Sequence, residues 1–371
     1  MHILFILENY YPAIGGVETL FKSLVDELDE RGVKTTILTT RLHDLPKIEK
    51  LGNSTIVRYR YWSRYLFTFL AFFPALKYGR HVDIIHTTSY NAGLPASLAG
   101  FFLKKRVLIT FHEVWGKLWF KLPFFGSIAK MGHYLFEQML LRMPFHKFIA
   151  VSEFTANRLL KNHIPDDKIR VIYNGIKPDQ WRCRVEPSEN QPYTFVYYGR
   201  LGISKGLDLL LPAYRLLVEN INSTKLILVL PKSPAGQLQF VKKEIEAFSA
   251  DLKPEVLHEL SHAELNETIC KADCVVIPSY SEGFGYTAVE SMSMGKPIIS
   301  SGRGALKEVV GGNFIEMKSH DIIGLKNAMQ DAIDQKWNYT EPTNFHLEDT
   351  VDEYMKLYQD LLQLKTGDND R

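Results

Sequence analysis

The sequence predicts an α/β protein of two doubly wound domains, each a largely parallel sheet with helices on both faces. Its 371 residues exceed one ordinary hydrophobic core and divide naturally into two units of about 150 to 200 residues. Short apolar runs alternate with longer stretches of helical periodicity, the pattern of strand, crossover helix and parallel strand. That series runs once, halts at a polar stretch, and begins again.

In the first series the expected strands are residues 3–7, 35–39, 84–86, 107–110, 148–151 and 171–173. Leu20, Leu24 and Leu28 recur at helical spacing between the first two. No basic segment precedes the first run and no small-residue cleavage site follows it, so it reads as a strand, not a signal peptide. Residues 177–192 are rich in proline, charge and polar side chains and read as the link between domains. The second series places strands at 195–198, 225–230, 274–278 and 297–300, with helices opening near Gly206, Gly236, His262, Tyr286 and Ser319. Last, Val351, Tyr354, Leu357, Tyr358 and Leu361 share one helical face, and the tail 368–371 reads as frayed. The resulting boundaries are 1–177, a linker at 178–192, 193–346, and a final helix and tail at 347–371.

Apolar residues make up 46% of the chain and charged residues 23%, which excludes broad disorder. The net charge of +2 averages two unlike parts: residues 1–180 carry 24 Lys and Arg against 15 Asp and Glu, and the remainder 20 against 27. A basic first half points to an anionic partner surface. The three cysteines, Cys183, Cys270 and Cys274, are an odd number without a disulfide framework, as in a reducing compartment. Cys270 and Cys274 read as core thiols, since no His or Cys follows at a zinc-site spacing.

The most telling run is Ser281-Glu282-Gly283-Phe284-Gly285-Tyr286-Thr287-Ala288-Val289-Glu290, which follows an apolar strand and opens a helix. Glycines let the backbone approach a ligand, and the helix start offers N–H groups and a positive dipole end to phosphate. Glu282 and Glu290 are then available to sugar hydroxyls. Upstream, Tyr198-Gly199-Arg200 and Lys205-Gly206 place two cations after a strand, suited to a diphosphate leaving group or, alternatively, to solvated loop positions. In the first domain the Gly15-Gly16 loop sits at a strand's carboxyl end, where ligands bind, and lacks the spacing of a dinucleotide fingerprint. His112 ends a strand and either bonds a substrate hydroxyl or is a satisfied structural residue. Ser152 reads as a helix N-cap.

Taken together, Gly15-Gly16-Val17-Glu18, Thr110-Phe111-His112, Ser152-Glu153, Asn174-Gly175, Gly199-Arg200, Lys205-Gly206 and Glu282 to Glu290 resemble the retaining glycosyltransferases of family 4. That resemblance implies the GT-B fold: two Rossmann-like domains facing a cleft, the first binding acceptor, the second a nucleotide sugar, and the last helix crossing back to the first. It implies that Arg200 and Lys205 bind the diphosphate, Glu290 the ribose and Glu282 the transferred sugar. Gly199 and the segment Gly283, Phe284, Gly285, Tyr286 and Thr287 complete the donor site. Gly15 and Gly16 approach the donor phosphates, and His112 contacts the sugar near the reacting carbon. The chain departs from the family pattern at Leu230-Pro231-Lys232-Ser233-Pro234 and at Gly302 to Glu308, which leaves the base and sugar open. No cofactor is expected beyond the donor substrate, UDP- or GDP-linked, and no metal, because no Asp-x-Asp stands at a strand end.

The acceptor is indicated by residues 50–82, which hold six Lys or Arg and no acid among many aromatic rings. A membrane-interface role is expected there for Arg58, Arg60, Trp62 and Arg64, and in residues 115–130 for Trp119 and Phe120 beside Phe124 and Phe125, with helices packed on the first domain's sheet as the alternative for each segment. The expected partners are a saccharide or lipid-linked saccharide and an anionic leaflet, on its cytoplasmic face. Nucleic acid is not expected, because the basic stretches are dense in large apolar residues. A sugar-nucleotide epimerase of the same fold and a non-catalytic sugar-binding protein are the alternatives.

Overall fold

The structure, a computed structural model, describes every residue except 14, 43, 122–125, 184–191, 203, 220, 222 and 368–371, with side chains through 363. Most of the expected linker, Phe124, Phe125 and the terminal tail lie outside the described residues. The chain forms two compact units: one runs from Met1 to Gly175 and takes in the segment from His346, and the other spans Ile176–Phe345.

The first unit holds strands β1 (His2–Ile6), β2 (Lys34–Thr40), β3 (Ile48–Leu51), β4 (Ser54–Tyr59), β5 (Ile84–Thr88), β6 (Arg106–Phe111), β7 (Lys147–Ala150) and β8 (Ile169–Val171) in the order β3-β4-β2-β1-β5-β6-β7-β8. All neighbours are parallel except the β3/β4 hairpin. Ile3, Leu4, Phe5 and Ile6 are fully buried because helices cover both faces of the sheet. The hairpin departs from the sequence expectation. It turns at Gly52, whose φ of 57° favours glycine, and it buries Arg58 on β4, where the guanidinium meets Glu49 at 2.7 Å. Arg58 is therefore an internal ion-pair residue and not a membrane contact.

Helices α1 (Gly16–Glu30), α2 (Arg64–Leu70), α3 (Phe72–Gly79), α4 (Gly93–Leu103), α5 (Ser127–Leu141) and α6 (Glu153–Lys161) connect these strands. The steps β4 to β5, β5 to β6, β6 to β7 and β7 to β8 all advance in one direction along the sheet, whereas β1 to β2 runs the other way. Right-handed crossovers then put α2 to α6 on one face and α1 on the other. Ser152 caps α6 through the Thr155 amide, as its sequence position implied.

In the second unit β9 (Tyr193–Tyr198), β10 (Thr224–Leu230), β11 (Glu255–His258), β12 (Cys274–Ile277), β13 (Ile298–Ser300), β14 (Gly312–Glu316) and β15 (Asn338–Thr340) stand in the order β11-β10-β9-β12-β13-β14-β15. Its helices are α7 (Leu207–Val218), α8 (Ala235–Glu246), α9 (His262–Lys271), α10 (Tyr286–Ser293), α11 (Leu306–Val309) and α12 (Ile322–Ile333). A capping box at Ser261 and Glu264 starts α9. Cys183 and Cys270 form a disulfide, with Cα atoms 5.3 Å apart, and Cys274 is free and buried. Reading Cys270 as a core thiol was wrong, because the chain after the first unit folds back beside α9. The cysteine count is thereby lost as an argument for a reducing compartment.

The last helix, α13 (Leu347–Gly367), belongs to the first unit, as the fold implied. Val351, Tyr354, Leu357, Tyr358 and Leu361 are all buried. Its entry needs Gly175, where a Cβ would lie 2.3 Å from the His346 carbonyl oxygen. Two tyrosines anchor it: Tyr358 Oη lies 2.7 Å from His86 Nδ1, and Tyr354 Oη lies 3.2 Å from Thr110 Oγ1, which meets His86 Nε2 at 2.8 Å. Burial, with a smaller effect of His112, pushes the His86 pKa down to about 3, so the imidazole stays neutral. The unfolded chain binds a proton below about pH 6.5 and the folded chain does not, so this stability is full above 6.5 and falls as pH drops toward 3. Urea unfolding at pH 7 and pH 5 is expected to show about 2 kcal/mol more acid loss in the wild type than in His86→Gln. Equal losses would place the acid sensitivity elsewhere.

Candidate active site

In the second unit the sheet order reverses between β9 and β12, since β10 and β11 lie on one side of β9 and the chain returns to lay β12 on the other. Open α/β sheets bind ligands at such a reversal, off the carboxyl ends of the strands. Both expected donor motifs leave those two ends. After β9 come Gly199, Arg200, Lys205 and Gly206; after β12 come Ser279, Glu282 and the glycine turn.

The two loops are joined at their centre. Lys205 Nζ lies 2.7 and 2.8 Å from the two carboxylate oxygens of Glu282, and Ser279 Oγ donates to Oε1 at 2.6 Å. Side-chain exposure is 20% for Lys205 and 12% for Glu282, so the pair is largely shielded from water. The Tyr280 amide donates to the Ser204 carbonyl at 2.7 Å, and Tyr197 Oη donates to the Arg200 carbonyl at 3.3 Å. Close approach requires Gly206, with φ 75°, because a Cβ there would lie 2.1 Å from the Pro278 oxygen.

The glycine turn leads directly into α10, with Gly285 at φ 97° as its N-cap. Phe284 is buried, its ring edge-on to Tyr286 and Phe345. Tyr198 Oη donates to the Thr287 carbonyl at 3.0 Å and lies 3.1 Å from Ser291 Oγ, which ties the end of β9 to α10. One turn on, Glu290 remains partly accessible, yet loss of solvation at its carboxyl pushes the pKa up to about 8, opposed by the nearby Tyr198 hydroxyl. Glu282 and Glu290 thus occupy unlike settings, one ion-paired and one poised to titrate.

In the first unit the corresponding reversal lies between β1 and β5. Gly15 is buried and accepts the Thr19 amide at 2.9 Å, while Gly16 begins α1, so both lie off the carboxyl end of β1. His112 follows β6, with its ring edge-on to Phe21 at 6.2 Å. Among the expected membrane contacts, Trp62 is 95% exposed, Phe120 is exposed and Arg60 is exposed. Arg64 instead reaches Glu8 at the end of β1, at 3.2 Å. Trp119 is buried and is a packing residue rather than a surface contact: its ring stacks on His133 and lies against Trp115.

Residues 14–180 match the profile described as Glycosyltransferase Family 4, and residues 180–345 match Glycosyl transferases group 1. This chain is a family 4 glycosyltransferase. Among its relatives is the alpha-monoglucosyldiacylglycerol synthase of Streptococcus pneumoniae, 24% identical over 87% of this chain and 77% of that protein. The fold is that of sucrose-phosphate synthase from Thermosynechococcus elongatus, at 20% identity and a TM-score of 0.78 over 98% of this chain and 100% of that one. Anabaena HepE, solved in complex with UDP and glucose, is 16% identical with a TM-score of 0.70 over 90% of each chain. The transferase therefore has the GT-B fold.

Three features of the transferase escaped sequence reasoning. Glu137 is fully buried on α5 and accepts from Tyr90 Oη at 2.9 Å, the amides of Trp115 and Gly116 at 2.9 and 2.6 Å, and Trp119 Nε1 at 3.4 Å. It pins the segment that follows His112; a lone acid within the apolar run of α5 was the available signal. Glu8 accepts from Asn91 Nδ2 at 2.7 Å beside the β1/β5 reversal. The third is Gly304, with φ 69°, where a Cβ would lie 2.2 Å from the Glu282 carbonyl oxygen, while the Ala305 amide donates to that same oxygen at 2.8 Å. The loop that matched the family pattern only in part thus seats the backbone of Glu282. Gly304→Ala is expected to lower turnover at least about tenfold, a displacement of Glu282 worth 1.4 kcal/mol or more at the transition state. Steady-state kinetics that match the wild type would remove Gly304 from this role.

Proposed function

We propose that the enzyme moves a hexosyl group, with retention and without a metal ion, from a UDP- or GDP-sugar to a hydroxyl of a lipid-linked saccharide on the cytoplasmic leaflet, in cell-surface glycan synthesis. The observation that carries the reading is the shielded Lys205–Glu282 pair at the β9/β12 reversal, beside Arg200 and the amino end of α10. Two cations and a helix start suit a diphosphate, and two carboxylates suit hydroxyls. HepE's complex with UDP and glucose supports the donor class, and the alpha-monoglucosyldiacylglycerol synthase among the relatives supports a lipid-borne acceptor.

In this reading the acceptor hydroxyl attacks the anomeric carbon from the face that the diphosphate leaves. The C–O bond to the phosphate breaks with its electron pair going to the diphosphate, and the hydroxyl proton passes to a phosphate oxygen. Arg200 and Lys205 stabilise the charge that builds on the leaving group. Glu282 orients the sugar, held in place by Lys205, and Glu290 grips the ribose. His112 contacts the transferred sugar. Arg200→Ala and Lys205→Ala are each expected to lower kcat about a hundredfold or more, with turnover unchanged in excess chelator. Near-normal rates in either variant, or loss of activity on chelation, would overturn this mechanism.

Glu290 makes donor binding pH-dependent. Hydroxyls that donate to the carboxylate favour its ionised form, so affinity rises as pH climbs toward the free-state pKa of about 8. Between pH 7 and pH 8 the ionised share grows about fivefold, and nucleotide affinity is expected to follow. Calorimetric titration of UDP and GDP into wild type and Glu290→Gln checks this, since the variant should lose the slope.

A further inference from the structure

The first unit has an inside-out helix. In α4 the residues turned to the core are small, with Ala92 just before it and Ala96 and Ala99 within it, while Leu98, Phe101 and Phe102 face solvent at 37%, 73% and 63% exposure. Globular packing would place those phenyl rings inward. They form one patch with the neighbouring helix: Phe102 lies 5.5 Å from Phe101 and 5.7 Å from Phe72, and Phe72 lies 5.6 Å from Phe73, which is itself 66% exposed. On the same face of the sheet, Phe69 and Tyr65 of α2 are 64% and 58% exposed.

Charge follows the same flank. From Arg60 to His112 the chain has seven Lys and Arg, of which Arg64 is paired with Glu8, and one acid, Asp83. Phe101 stands at the rim of an open basin of about 850 Å³ whose wall includes Lys104, Lys105, Arg106, His146 and Lys168. Asp83, the acid in that wall, is engaged by the His2 amide at 2.8 Å. The basin lies at the amino ends of β6, β7 and β8, the edge of the sheet opposite His112 and the Gly15-Gly16 loop, so it is separate from the candidate active site.

We infer that this flank docks on an anionic phospholipid leaflet, with Phe73, Phe101 and Phe102 at the acyl boundary and headgroup phosphates received by Lys104 and Lys105. The inference rests on the membrane reading above and names its surface and lipid charge. Aromatic rings interleaved with cations and almost free of acids are the chemistry of that interface. A peptide partner would need matching acids and no acyl boundary. Among the described residues no helix is long and apolar enough to cross a membrane, so the docking is lateral.

The test uses the full chain in vesicle co-sedimentation at low salt, with phosphatidylcholine alone and with phosphatidylglycerol added. Wild type is expected to bind the anionic vesicles. Phe101→Ser with Phe102→Ser should weaken binding at least about tenfold, and Lys104→Gln with Lys105→Gln about thirtyfold with loss of the preference for anionic lipid. Circular dichroism and melting temperature establish that both variants fold. Unchanged binding by a folded phenylalanine variant would overturn this surface and leave the membrane reading standing. No sedimentation of wild type with either vesicle would overturn the membrane reading itself. Release by inorganic phosphate at matched ionic strength, with the phenylalanine variant unaffected, would make the basin a free-phosphate site and refute docking. Loss of self-association in that variant with vesicle binding intact would assign the patch to a second copy and also refute it.

Discussion

Lys205 and Glu282 meet through both carboxylate oxygens, and four-fifths or more of each side chain is out of water. Such a pair is held only if the surrounding backbone fixes both partners, because desolvating two charges offsets much of their attraction. The backbone here does so through contacts that only glycine permits. Gly206 lets the β9 loop close on Pro278, and Gly304 lets the β13 loop close on Glu282 itself. Three loops from neighbouring strands therefore converge on one residue, Lys205 and Ser279 at its carboxylate and the β13 loop at its backbone. The reversal in strand order leaves the crevice between β9 and β12 open at that point.

Much of the architecture was legible because the central strands are buried on both faces and read as unbroken apolar runs. Residues 3–7, 225–230 and 274–278 announced β1, β10 and β12 in this way. The strands that went unread are peripheral: β3, β4, β11, β14 and β15. β15 is exposed throughout and β3 nearly so, β11 is mostly half-exposed and β14 mixed, so their composition matches loops, whereas β4 is mostly buried and was missed within a basic, aromatic stretch. Secondary structure at a sheet's edge depends on a neighbour distant in sequence, which a local pattern does not contain. The Cys183–Cys270 bond, across 87 positions, was hidden for the same reason.

The site shows a different division. Glu282, Glu290, Lys205 and the glycine turn stood out in the sequence by their joint pattern, and the structure brings Lys205, Glu282 and the turn together at the β9/β12 reversal. Their states were not legible in that pattern. That Lys205 holds Glu282 while Glu290 loses solvation depends on burial and on Tyr198, which come from other strands. Glu137 and Glu8 are buried or half-buried acids whose donors lie tens of residues away, so the sequence offered at most a lone acid in an apolar run for Glu137 and no partner for either. Among the aromatic and basic segments, the sequence conveyed net character and not direction. Arg58 and Trp119 turn inward, while Phe101 and Phe102, in a run that read as an ordinary helix, turn outward.

The first unit's two kinds of surface follow from one topological fact. A parallel sheet has a carboxyl edge where loops gather and two faces where helices lie. Loops at the edge carry Gly15, Gly16, Glu8, Asn91 and His112, all small or polar groups. Helices on the face need only one stripe each for the core, and in α4 that stripe is filled by alanine. The opposite stripe is then free to carry large apolar side chains without disturbing the sheet, and a fold built this way can hold a lipid surface along its flank while its carboxyl edge stays open to substrate. Helix stripe and strand edge are set by different residues, so changes at Phe101 or Phe102 leave Gly15 and His112 untouched. That separation lets the proposed lipid-facing flank and the loops of the carboxyl edge vary independently within one unit.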